Sequence, residues 1–195
     1  VGYMKMHKDG EDYIFNGADD NASGTAGVMV TAKAFASMKV KPKRSILFIL
    51  FAGEEKGLYG SKYYCDNPLF STAKTVAMLN MDMIGRNGND SIELEGVLLN
   101  PELNRIIVKE NSKVGLKVVD PTEDMYARSD HYNFYKKGIS SMGFSSGLHK
   151  DYHTVRDNPN VINNFKAARI TKLAFRTAWF VANDKKYYSI VKKKK

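Results

Sequence analysis

Cysteine is almost missing from this chain of 195 residues, with Cys65 its single representative. A lone cysteine excludes an internal disulfide, and no cysteine cluster exists to hold zinc. Cys65 itself reads as a small buried apolar residue. Long hydrophobic runs are lacking too. No apolar stretch approaches the roughly 20 residues that a membrane-crossing helix needs, so the sequence predicts no membrane span. Internal repeats, low-complexity segments and linkers are not found. The chain starts at Val1 instead of Met, so it reads as a mature or excised piece, and its lack of a visible signal peptide implies nothing.

What is present is an ordinary globular composition, 43% hydrophobic and 26% charged, in a length that suits one domain with a real core. The formal net charge is +9. Part of it lies in the terminal run Lys192 to Lys195, with Lys185 and Lys186 close by. Nucleic-acid binding would want basic residues interleaved with stacking aromatics over a defined surface. Tyr187 and Tyr188 fit that weakly, so no nucleic-acid partner is expected. Residues 185–195 are expected to be a solvated basic tail behind a domain spanning 1–184.

The order of elements is mixed. Residues 21–38 are Ala-rich and read as a helix with a capping start. Residues 44–52 are a continuous apolar run, read as a strand covered on both faces. A short helix is expected over 57–65 and strands over 75–85 and 90–97. Residues 101–115 read as a helix, with Pro at its start and Gly at its end. A strand over 116–119, a helix over 129–138, a strand over 139–144 and a long amphipathic helix over 162–183 complete the chain. Strands alternating with helices imply an α/β fold, a mostly parallel central sheet with helices on both faces. In such sheets ligands bind outside the carboxyl ends of the strands. The acids and histidines gather there: Asp19 and Asp20 ahead of the first helix, Glu54 and Glu55 after one strand, Asp82 after another, and His149, Asp151 and His153 after residue 144.

Carboxylates together with histidine form an oxygen-and-nitrogen donor set, which zinc accepts, whereas magnesium and calcium prefer oxygen alone. Crowded carboxylates repel one another, and a divalent cation removes that cost. A strand would send Glu54 and Glu55 to opposite faces. Gly53 and Gly57 let the chain leave the extended path, so both can face one cleft. One could then bind metal while the other takes a proton from water.

Five segments in order, "NGADDNASG" (16–24), "FAGEEKGLYGS" (51–61), "NMDMIGR" (80–86), "RSDHYNFYKKGI" (128–139) and "GLHKDYHTVRDN" (147–158), resemble the co-catalytic di-zinc aminopeptidases of the bacterial leucyl aminopeptidase and aminopeptidase Y family. The resemblance implies a zinc exopeptidase, phosphorylase/hydrolase-like fold. It implies that Asp19 bridges two zinc ions, that Glu55 and His153 hold one of them, and that Asp82 holds the other. Glu54 would be the general base. Asp20, Asp130 and His131 match motif positions and are expected to orient the ligands or to serve structurally, without binding metal. Two zinc ions would activate a water and polarise the scissile carbonyl, and Glu54 would carry the proton to the leaving amine. Peptides with a free N-terminus would be the partners, trimmed from the amino end.

The resemblance has a further zinc-binding His, in a segment "H-x-D-H-[LV]-G". Val1 and Gly2 match only its end, so the chain reads as the C-terminal part of a catalytic domain, N-terminally truncated. One zinc, on Asp19, Glu55 and His153, would be better held than the other, with weak or no activity for this piece alone. His7 reads as a surface residue and His149 as a loop residue. "GIS" (138–140), "SSGLH" (145–149) and "DNPN" (157–160) depart from the family pattern near its specificity loop. Two alternatives are a single-zinc enzyme resembling glutaminyl cyclases and a non-catalytic peptidase-like binding domain. The resemblance leans toward a secreted or periplasmic location.

Overall fold

A computed structural model describes residues 13–119 and 123–192. His7 lies outside the described residues. Four strands form one sheet in the order β1 (Ala77–Met81), β4 (Ser140–Ser145), β2 (Ser91–Glu95), β3 (Lys117–Val119). The pairs β1/β4 and β2/β3 are parallel, and β2 meets β4 antiparallel. The sheet is therefore mixed, with two parallel pairs joined at one antiparallel seam.

The helices are α1 (Gly24–Ser37), α2 (Tyr59–Asp66), α3 (Pro101–Asn111), α4 (His131–Lys136) and α5 (Asn164–Asn183). On α5 the buried Ile170, Leu173, Ala174, Thr177 and Val181 recur at helical spacing and make one apolar stripe. The Asn163 side chain accepts from the Lys166 N–H and caps its start. Strand alternation divides the sheet between two cores. Ala77, Leu79 and Met81 of β1, with Met142 and Phe144 of β4, join the large core with α3 and α5. Met78, between them, turns to the smaller cluster of Cys65, Phe134 and Ile139 under α2 and α4. Helices thus cover both faces, as expected of an α/β fold.

Two expectations change. Residues 44–52 make no ladder among the described residues. The segment is extended, but Leu47 and Leu50 are 46% and 53% exposed, and a strand exists only where a neighbour accepts its backbone bonds. Its rings are shared instead: Phe48 packs on Phe35 at 6.0 Å and Phe51 on Phe134 at 6.0 Å. Residues 185–192, expected as a solvated tail, are mostly exposed but anchored at Tyr188. Tyr188 joins the large core and its hydroxyl donates to Asp184, while Ser189 donates to Glu102. An aromatic ring gains more from burial than the neighbouring lysines lose.

Candidate metal centre

The site forms at the carboxyl ends of the parallel strands β1 and β4. Asp82 is the first residue past β1, and its N–H donates to the Phe144 carbonyl at 3.1 Å. Glu54 and Glu55 lie in a single helical turn, Glu54–Lys56, between Gly53 at φ 69 and Gly57 at φ 110. These left-handed glycines let the chain reverse out of the extended segment 45–51. His153 itself sits at φ 54, a conformation that a side chain takes up only when its surroundings hold it there.

Asp20, Glu55 and His153 come together, each offering one ligand atom within 4.8 Å of the others. His153 Nε2 lies 3.0 Å from Asp20 Oδ2 and 3.1 Å from Glu55 Oε1. The two carboxylates are nearly buried, 12% and 10% exposed, and the imidazole 37%.

The two aspartates of "ADD" exchange the positions expected of them. Asp19 faces away from this cluster. Its Oδ1 accepts the Gly85 N–H at 2.6 Å, and its Oδ2 faces His149 Nε2 at 3.3 Å, all of it buried. The turn Ala18–Ser23 decides this, because it points only one of two neighbouring side chains at the cleft. His149 is a loop residue, as expected, but its side chain turns inward and is 3% exposed. His131 offers no atom to the cluster and connects to the site through Asn80 and Ser129, which bonds Asp82. It is fully buried, with Nδ1 accepting from Asn80 at 3.3 Å and Nε2 facing Glu95 Oε2 at 3.3 Å. Burial lowers its pKa to about 3, so the ring is neutral, and burial raises Glu95 to about 8. Asp130 is buried at the edge of the acid group, where burial raises its pKa and a Ser61 hydrogen bond opposes that.

The acids act on one another. Burial, then the charges of Asp82 and Glu55, raise Asp20 to about 8. Burial, then Asp82, Glu55 and Asp130, raise Glu54 to about 8. Burial raises Asp82 to about 6 against a 2.6 Å hydrogen bond from Ser129 Oγ to its Oδ2. Asp82 Oδ1 is buried without a hydrogen-bond partner among the described residues. Such a group of acids, with an orphaned carboxylate oxygen and an imidazole nitrogen, suits a divalent cation, and the mixed donors suit zinc. Glu54 contributes no atom to the three-residue cluster, yet it feels every acid in it.

Several residues that hold the site lie inside the quoted segments, which gave them no role. Asn21 Oδ1 accepts from Gly24 and Met83 N–H groups, and its Nδ2 donates to the Met81 carbonyl, tying the Asp20 turn to the end of β1. Asp157 and Arg86 are others. Their bonds to Met81, Ser146 and Asp19 span 60 to 138 positions, so the segments alone do not show what these residues hold.

The model for "Peptidase family M28" matches residues 3–178. The chain belongs to peptidase family M28. Among relatives in the family, "Leupeptin-inactivating enzyme 1" of Streptomyces exfoliatus is 34% identical over 132 residues, covering 67% of this chain and 29% of that protein. "Aminopeptidase YwaD" of Bacillus subtilis is 27% identical over 203 residues, covering 99% and 44%. The solved "Aminopeptidase from Aneurinibacillus sp. strain AM-1" is 25% identical with a TM-score of 0.75, covering 88% and 41%. A glutaminyl cyclase of Porphyromonas gingivalis shares the M28 fold at a TM-score of 0.65 and 20% identity, covering 84% and 63%. The chain thus spans less than half the length of these three M28 relatives.

Proposed function

We propose that the chain carries the zinc-binding and proton-transferring residues of an aminopeptidase. The observation that supports this most is the meeting of Asp20, Glu55 and His153 within 4.8 Å, with Glu54 beside them and off the donor set. Asp20, in place of Asp19, is the shared acid of this reading. It touches His153, and Asp82 is the strongest charge acting on it. Glu55 and His153 complete one zinc site, and Asp82 serves the second.

Zinc bound there would polarise the scissile carbonyl and make a water more acidic. Glu54 takes the water's proton and returns it to the leaving amine. It can do so only when ionised. Its burial among other acids therefore ties its readiness to a cation nearby. The remaining carboxylates attract the free N-terminal amine of a peptide, which selects the amino end. A glutaminyl cyclase reading needs a single cation, and the orphaned Asp82 oxygen beside the first cluster favours two.

Zinc titrated into the metal-free chain is expected to bind tightly, and His153→Ala to weaken that binding at least about tenfold. Amino-acid anilides are expected to be hydrolysed only by zinc-loaded protein. Zinc binding indifferent to His153→Ala would overturn the proposal.

A further inference from the structure

The two segments that supply Asp20 and His153 are 133 positions apart in the chain, and their side chains meet at 3.0 Å. One residue grips both. Asp157 is 2% exposed and closes the turn that carries His153, donating its N–H to the Thr154 carbonyl at 3.2 Å. Its carboxylate accepts the Asp19 N–H at 3.1 Å on Oδ1 and 3.0 Å on Oδ2, and the Asp20 N–H at 3.0 Å on Oδ2. Its carbonyl accepts the Ala18 N–H at 3.1 Å. Three consecutive backbone donors beneath Asp20 therefore end on a single residue of the His153 loop.

Arg86, 11% exposed, braces the same loop at both ends. Its Nη2 donates to Asp151 Oδ2 at 2.6 Å, and its Nη1 lies 3.7 Å from Asp157 Oδ1 as an ion pair without a hydrogen bond. Its own N–H donates to Ser146 Oγ at 3.1 Å, just past β4. Between the braced ends, Asp151 accepts Thr154 N–H and Oγ1 on its carbonyl. The loop 151–157 is a closed ring that holds His153 at φ 54.

We propose that Asp157, braced by Arg86, is a positioning residue that sets the distance between Asp20 and His153 and so preorganises the cation site. The proposal rests on the metal reading above. Neither residue offers a ligand atom to the cluster: Arg86 acts through the loop of His153, and Asp157 through that loop, the backbone of Asp20 and its own charge beside Asp20. A carboxylate that accepts two N–H groups over both its oxygens cannot be replaced by an amide without turning a donor toward donors or losing an acceptor. The guanidinium fork is likewise not matched by an ammonium.

The test compares zinc affinity by chelator competition and the visible spectrum of the cobalt(II)-loaded protein. Asp157→Asn is expected to weaken zinc binding about 10- to 100-fold and to change the cobalt spectrum. Arg86→Lys, the milder change, is expected to weaken it several-fold with the chain still folded. Arg156→Ala removes an exposed partner of the same Asp151 and is expected to leave zinc affinity within about threefold. A purely structural role would lower the melting temperature of the metal-free variants and leave affinity and spectrum unchanged in the folded protein. That result for both Asp157→Asn and Arg86→Lys would overturn the clamp alone. A wild-type chain that binds neither zinc nor cobalt would overturn the metal reading and the clamp with it.

Discussion

At the scale of single residues, neighbours in sequence have separate tasks. Glu55 meets His153, whereas Glu54 stands off the cluster with its carboxyl raised to about 8. Glu54→Gln is therefore expected to lower turnover by about 10²- to 10⁴-fold and keep zinc bound, the range a proton-transfer group supplies. Glu55→Gln is expected to lose zinc first. Anilide assays run beside metal analysis separate the two, and zinc lost from Glu54→Gln with turnover kept would reverse the assignment. Asp19 and Asp20 divide in the same way. Asp20→Asn should weaken zinc binding in a folded chain. Asp19→Asn should act mainly on stability, since Asp19 is fully buried between Gly85 and His149.

At the scale of elements, the start of α1 must come very close to the end of β1. A Cβ added at Gly24 would lie 2.1 Å from the Met81 carbonyl oxygen and 2.3 Å from the Asn21 side chain. Gly24→Ala is expected to destabilise the fold by about 1–3 kcal/mol, because neither the strand end nor the Asn21 bridge has room to shift. Urea unfolding with an unchanged midpoint would contradict this. The extended segment 45–51 shows the opposite case. Its apolar sequence is strand-like, but strand formation is a property of a pair, and no described neighbour accepts its backbone.

At the scale of the whole molecule, a chain with a net charge of +9 gathers its acids in one cleft. Asp82, Asp20 and Glu54 have folded pKa values of about 6, 8 and 8, all raised above their unfolded values. Raised carboxyls favour the folded state when protonated. Their contribution is full below about pH 4 and is lost as pH rises through about 6 to about 8. Glu95, also raised to about 8, adds a loss in the same window that zinc does not touch. The metal-free chain should thus melt at lower temperature at about pH 8 than at about pH 5. Zinc requires the ionised acids, so its stabilising effect should grow over the same range. Melting curves with and without zinc read both trends. A metal-free melting temperature that rises over this range would contradict the charge crowding.

The sequence by itself determined a great deal here. Glycine and proline punctuation marked α3, periodicity marked α5, and polar residues after apolar runs marked Asp82, Glu54, Glu55 and His153 as members of one site. Five ordered segments were enough to point to the family. Only the tertiary structure decided between Asp19 and Asp20, buried the side chains of His131 and His149, left 45–51 without a ladder among the described residues, buried Tyr188 and gave Asp157 and Arg86 their roles. The physical reason is range. Turn chemistry and periodicity act over a few residues and are written locally. Which of two adjacent side chains faces a cleft depends on backbone bonds to Gly85, Met83 and Asp157, at separations of 62 to 138 residues.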